Sequence, residues 1–179
     1  MSTSLRADEN LVDGSTRQLG EREIGALGFG CWRLVGEDTQ SATVLIAHAL
    51  ELGMTLIDNA DVYGLDWGGQ AFGESETLLG RVLRETPALR QQMVLASKGA
   101  ILPGVPYVAN SAYLNAACDA SLARLNSETI DLYQIHRPDM FTHPQETADA
   151  LDGLVEAGKS PWSACQTTHR HKFTRCAPI

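Results

Sequence analysis

Four short apolar runs alternate with four stretches whose apolar residues recur every three or four positions. That alternation constrains the chain more than any other feature. ALGFGCW (26–32) reads as a first strand, and TQSATVLIAHALELG follows as a helix, with Thr39 as its expected N-cap and Gly53 as its stop. MTLID (54–58), MVLASK (93–98) and TIDLYQIH (129–136) are the next three strands. ESETLLGRVL (74–83) and SAYLNAACDASLARL (111–125) are the helices between them, the second with Leu114, Ala117, Cys118, Ser121, Leu122 and Leu125 inward. PQETADALDGLVEAG closes the series, with Pro144 suited to a first turn and Gly158 to a stop. Consecutive strand–helix units require a parallel sheet, either doubly wound or closed as a (β/α)8 barrel. Eight units of this length would need about 300 residues, and this chain of 179 carries half of them.

The pattern then fails. KSPWSACQTTHRHKFTRCAPI contains Pro161, no β-branched apolar run and no helical stripe, so no fifth strand is expected. Residues 1–23 are read as a lead-in, 24–158 as the strand–helix body and 159–179 as a separate basic tail. The tail has Lys159, Arg170, Lys172 and Arg175 and no acid, so a net charge of −8 for the whole chain conceals a strongly acidic body. An acidic body argues against nucleic-acid binding. No apolar stretch is long enough to span a membrane, and the polar N-terminus is not a secretory leader. Cys31, Cys118, Cys165 and Cys176 form no CxxC pair, as expected of free thiols in a reducing compartment, and the expected location is cytoplasmic.

Three of the strands end in an ionisable residue: Asp58, Lys98 and His136, with Tyr63 shortly after Asp58. The C-terminal ends of parallel strands form the active-site rim of barrels and open α/β sheets. Together the four suit carbonyl chemistry. Tyr63 is a candidate general acid, although a free phenol, with a pKa of about 10, holds its proton tightly near neutrality. A lysine ammonium beside it favours the phenolate and eases proton release. Asp58 would keep Lys98 charged and in place, and His136 would orient the carbonyl oxygen. GALGFG (25–30) is not the dinucleotide fingerprint, and there is no phosphate-binding GK[ST] loop. Cys165, His169, His171 and Cys176 are the right residue types for zinc, but their spacing matches no common finger, so no metal is expected.

LGFGCWRL, LIDNADVYG, ASKGA and DLYQIHRPD resemble, in order and spacing, the signature segments of the aldo-keto reductase family, over residues 17 to 159. The resemblance implies a (β/α)8 barrel and a catalytic tetrad at Asp58, Tyr63, Lys98 and His136. It implies reduction of an aldehyde or ketone by NADPH, less often NADH. It also implies that Gly30, Cys31 and Trp32 line the nicotinamide and substrate pocket, with Asp58 beside the cofactor and Trp32, Tyr63 and His136 beside the substrate. Cys31 and Asn59 stand where threonine is more usual. A non-catalytic regulatory subunit, as among potassium-channel β subunits, is the alternative that the same resemblance allows.

In the family, strand five ends in a Ser-Asn pair that begins the main cofactor contacts. Read from the third base of the proline codon, residues 161–167 permit Val-Val-Gly-Val-Ser-Asn, so a frameshift near residue 159 is expected. The resulting half-barrel should have open sheet edges, apolar inner side chains facing water, a tendency to self-associate, and no activity of its own.

Overall fold

The strand–helix alternation is realised directly, and a computed structural model describes it for residues 15–65, 68–105 and 107–165. A five-stranded parallel sheet runs in the order β3 (Gly28–Gly30), β4 (Leu56–Asp58), β5 (Val94–Gly99), β6 (Leu132–Ile135), β7 (Trp162–Cys165). Ahead of it, β1 (Thr16–Leu19) and β2 (Arg22–Gly25) form an antiparallel hairpin. The helices are α1 (Thr39–Glu51), α2 (Glu74–Glu85), α3 (Ser111–Leu125) and α4 (Pro144–Glu156), and each follows one strand. Among the described residues β3 and β7 each pair on one side only.

Helix ends follow local side-chain chemistry. Asp38, not Thr39, caps α1, because its Oδ1 accepts from the Ser41 amide at 2.8 Å. A carboxylate there also suits the positive end of the helix. Asn110 caps α3 in the same way, taking the Tyr113 amide at 2.9 Å. Pro144 opens α4, and Gly158 follows it at φ +70°, a left-handed turn that a glycine makes without strain.

Side chains alternate across a strand, so the sheet has two distinct faces. One face packs on the helices: Ile57, Leu95, Tyr133 and Ile135 meet Ile46 of α1, Leu79 of α2, Leu114 of α3 and Leu151 of α4, all buried. Each such aliphatic chain contributes about 1.5–3 kcal/mol by leaving water. The other face carries Leu56, Val94, Ala96 and Leu132, joined by Leu19 and Ile24 of the hairpin and by Trp162.

Two expectations are corrected here. The inner face was expected to meet water, yet Val94, Ala96 and Leu132 are buried, because the hairpin, read from sequence as a mere lead-in, folds against them. A fifth strand, expected to be missing, is present at Trp162–Cys165 and continues the parallel order. It forms on hydrogen bonds rather than on an apolar run. The Ile130 amide donates to the Lys159 carbonyl at 3.0 Å, and the Trp162 amide donates to the Asp131 carbonyl at 3.2 Å. The Ser160 hydroxyl takes the Tyr133 amide at 3.1 Å and donates to the Trp162 carbonyl at 2.7 Å. The open edge of β6 supplies the ladder, and the Trp162 ring supplies the burial.

Candidate active site

Register places the chemistry. Asp58 pairs with Ala96, and Lys98 with Gln134, so the two-residue period puts Asp58, Lys98 and Gln134 on the inner face at the C-terminal strand ends. His136 follows β6 directly, and its amide is held by the Gly99 carbonyl at 2.8 Å. The loop after β4 is fastened to β5 by the Asn59 amide on the Ala96 carbonyl (2.9 Å) and the Asp61 amide on the Lys98 carbonyl (3.0 Å). The Tyr63 carbonyl then takes the Ser75 amide at 3.2 Å. This double attachment turns Tyr63 back over Lys98.

The Lys98 ammonium is the centre of the site. Its Nζ donates to Asp58 Oδ2 at 2.8 Å, to the Asn59 carbonyl at 2.6 Å and to Tyr63 Oη at 3.2 Å. An ammonium has three protons, and all three are engaged. The side chain is 1% exposed, against 28% for Asp58, so the charge is buried but paired. Nζ also lies 4.9 Å from the Tyr63 ring centroid. His136 meets Tyr63 edge-on, with ring centroids 5.8 Å apart and planes at 83°. Trp32 also lies beside Tyr63, with ring centroids 6.3 Å apart and planes at 33°. The structure thus brings together all four of the sequence-predicted residues, with Trp32 beside them.

Gly30 and Cys31 divide. A Cβ at Gly30 would meet nothing within 4 Å, so the backbone there borders open space. Cys31 is fully buried in the core between sheet and helices. Burial pushes its thiol up to about 12, with the Asp58 carboxylate adding to the effect and Lys98 opposing it. Its side chain belongs to the core rather than to a pocket wall, which corrects the expectation for that position. Sequence reasoning also missed the Asn59 carbonyl and Gln134, whose Nε2 reaches Asp58 Oδ1 at 3.5 Å. A polar residue inside the run DLYQIH, two positions before His136, was the available signal for Gln134.

Among the described residues no group of three or more His, Cys, Asp or Glu could hold a metal, and no helix is long and apolar enough to cross a membrane. His169, His171 and Cys176 lie outside the described residues.

The aldo/keto reductase family model matches residues 26–160. The chain belongs to that family. A 6-dehydroglucose reductase of Novosphingobium aromaticivorans is 48% identical over 147 residues, covering 80% of this chain and 48% of that protein. The aldo-keto reductase yakc of Schizosaccharomyces pombe, whose name specifies NADP(+), is 32% identical over 92% of this chain and 48% of its own length. The holo form of aldo-keto reductase AKR11C1 from Bacillus halodurans superposes with a TM-score of 0.69 at 30% identity, covering 86% of this chain and 50% of that one. Solved aldo-keto reductases are (β/α)8 barrels, and the five parallel strands here are part of one. The chain spans about half the length of the curated relatives it matches.

Proposed function

We propose that this site is the proton-donating half of an NADPH-dependent reduction of an aldehyde or ketone to an alcohol, with Tyr63 as general acid. The observation that carries the reading is the Lys98 ammonium, bound at once to Tyr63 Oη, Asp58 and the Asn59 carbonyl. A cation fixed against a phenol stabilises the negative charge left on the oxygen as its proton departs. Asp58 holds the cation in place, and its own Oδ1 is steadied by Gln134. His136, edge-on to Tyr63, is set to hydrogen-bond the carbonyl oxygen and orient it.

A reduced nicotinamide, when bound, supplies the hydride. The residues present fit such a ring: the backbone at Gly30 borders open space, and Trp32, 40% exposed beside Tyr63, offers a flat apolar wall. The name of the S. pombe relative favours NADPH over NADH. The 48% identity to a 6-dehydroglucose reductase makes an oxidised sugar the first carbonyl to assay.

The test uses the chain joined to the remaining strands of a family barrel. Tyr63→Phe should lower kcat by about 10²- to 10⁴-fold, with cofactor affinity nearly unchanged, because the lost proton donor acts in the transition state. Undiminished kcat would remove Tyr63 from the mechanism. The 179 residues alone, with single-sided β3 and β7 edges, should self-associate and show no saturable NADPH binding by fluorescence titration. Tight binding, or aldehyde-dependent NADPH oxidation by a monomer, would overturn that part.

A further inference from the structure

Behind Lys98, on the helix side of the sheet, lies a second polar cluster that the proposed chemistry does not use. Asp61 and Glu76 are both fully buried. Glu76 has its partners: Arg124 donates to its Oε2 from Nε and from Nη2, each at 2.7 Å, and Ser97 Oγ donates to Oε1 at 2.5 Å. The guanidinium is thereby committed to Glu76. Asp61 takes the Tyr113 hydroxyl, 3.3 Å from Oδ2, and a backbone contact from the Val62 amide, but no cation of its own, and its Oδ1 has no hydrogen-bond partner. The buried Tyr133 hydroxyl has none either. A Cβ on Gly99 would fall 2.4 Å from Tyr133 Oη and 3.5 Å from Asp61 Oδ2, so both groups converge on the backbone next to Lys98.

A buried carboxylate with only neutral donors is costly, and keeping the proton is the cheaper state. A protonated acid also donates, which matches a neighbouring hydroxyl oxygen that has nothing to accept. We infer that Asp61 is held as a neutral carboxylic acid within an Asp61–Tyr113–Tyr133 cluster, and that it acts there as a positioning residue for Lys98. The link is short: the Asp61 amide binds the Lys98 carbonyl at 3.0 Å, and the cluster packs on Gly99.

The electrostatics agree. Burial, followed by the Glu76 carboxylate, pushes Asp61 up to about 8, while Arg124 and the hydrogen bonds from Tyr113 and the Val62 amide oppose. The charged and titratable groups around the cluster are Glu76 from α2, Tyr113, Cys118 and Arg124 from α3, Tyr133 from β6 and Lys98 from β5. Asp61 keeps its proton in the folded chain after the unfolded chain has lost it, so its contribution to stability falls as pH rises from about 4 to about 8.

The consequence for Lys98 rests on the role proposed for that residue, but the protonation of Asp61 does not, and the experiment needs no turnover. Carbon-13 NMR of aspartate carboxyls in the 179-residue chain should show one signal with a midpoint near 8. That signal should vanish in Asp61→Asn, and the wild-type Lys98 side-chain resonance should move with the same midpoint. Asp61→Asn, a neutral isostere, should keep the fold and lose the fall in stability between pH 4 and 8. Asp61→Ala should destabilise at every pH. Every aspartate titrating near 4 in the wild type would overturn the inference, and a Lys98 resonance unmoved through the Asp61 transition would overturn the positioning role.

Discussion

The two ends of the parallel strands hold the same kinds of charge and use them oppositely. At the N-terminal end, Asp131 meets Arg90 at 2.9 Å and Arg22 at 3.6 Å, and its Oδ2 also takes the Leu95 amide at 2.7 Å. One carboxylate there has two guanidiniums and a backbone donor. At the C-terminal end, one ammonium is divided among a carboxylate, a carbonyl and a phenol. A surplus of cation around an anion ties elements together: Arg22 comes from the hairpin, Arg90 from the turn before β5, and Asp131 from the start of β6. A cation spread over three acceptors fixes the position of one phenol oxygen. The first arrangement serves stability, and the second, under the proposed function, serves a reaction.

Separating the two ends by mutation sharpens that contrast. Lys98→Met, in the chain joined to the rest of a barrel, should lower kcat by about 10²-fold or more, because Tyr63 loses its cation. The measurement is steady-state reduction, and a kcat within a factor of two of wild type would dissolve the contrast. Asp131→Ala should do the reverse. Removing the acid leaves the buried Leu95 amide and two partly exposed guanidiniums without their acceptor, and should cost about 1–3 kcal/mol in denaturant unfolding, with kcat unchanged. A large loss of kcat without loss of stability would mean that the two ends are not independent. The smallest effect belongs to a residue at neither charge cluster. Asn110→Ala removes the cap of α3 and should cost about 1 kcal/mol, read as a shifted denaturant midpoint with the site intact.

The body of the fold was legible because its apolar runs and helical stripes are local signals. The helix over 111–125 has the bounds that its stripe predicts, and the strands expected over 54–58, 93–98 and 129–136 match β4, β5 and β6 to within three residues at each end. The meeting of Asp58, Lys98 and His136 at one rim was legible because each ends an apolar run. What escaped depends on distant partners. The hairpin TRQL–REIG shows only Leu19 and Ile24 as apolar residues, and their burial comes from Val94, Ala96 and Leu132 far along the chain. β7 escaped because WSAC takes its structure from the β6 edge. The buried Glu76 left a trace that could have been read: with Leu79 and Leu83 it falls on one stripe of α2, a charge where the period demands an apolar side chain. Asp61, between Ala60 and Val62, left no periodic trace, since it lies in a loop.

Gly20 in the hairpin turn lies directly against the Trp162 indole: a Cβ there would meet Nε1 at 2.3 Å. These two residues stand near opposite ends of the described chain. A hairpin closes within about 1–10 μs by itself, whereas its docking on Trp162 waits for nearly every intervening residue to be made and ordered. Contacts of such long sequence separation form late, since the loop-closure entropy must be overcome first. On a ribosome the hairpin would therefore emerge first and be buried last, with Leu19 and Ile24 exposed throughout the interval. The segment that shields the inner face of the finished sheet is thus the one most in need of shielding while the sheet is being built.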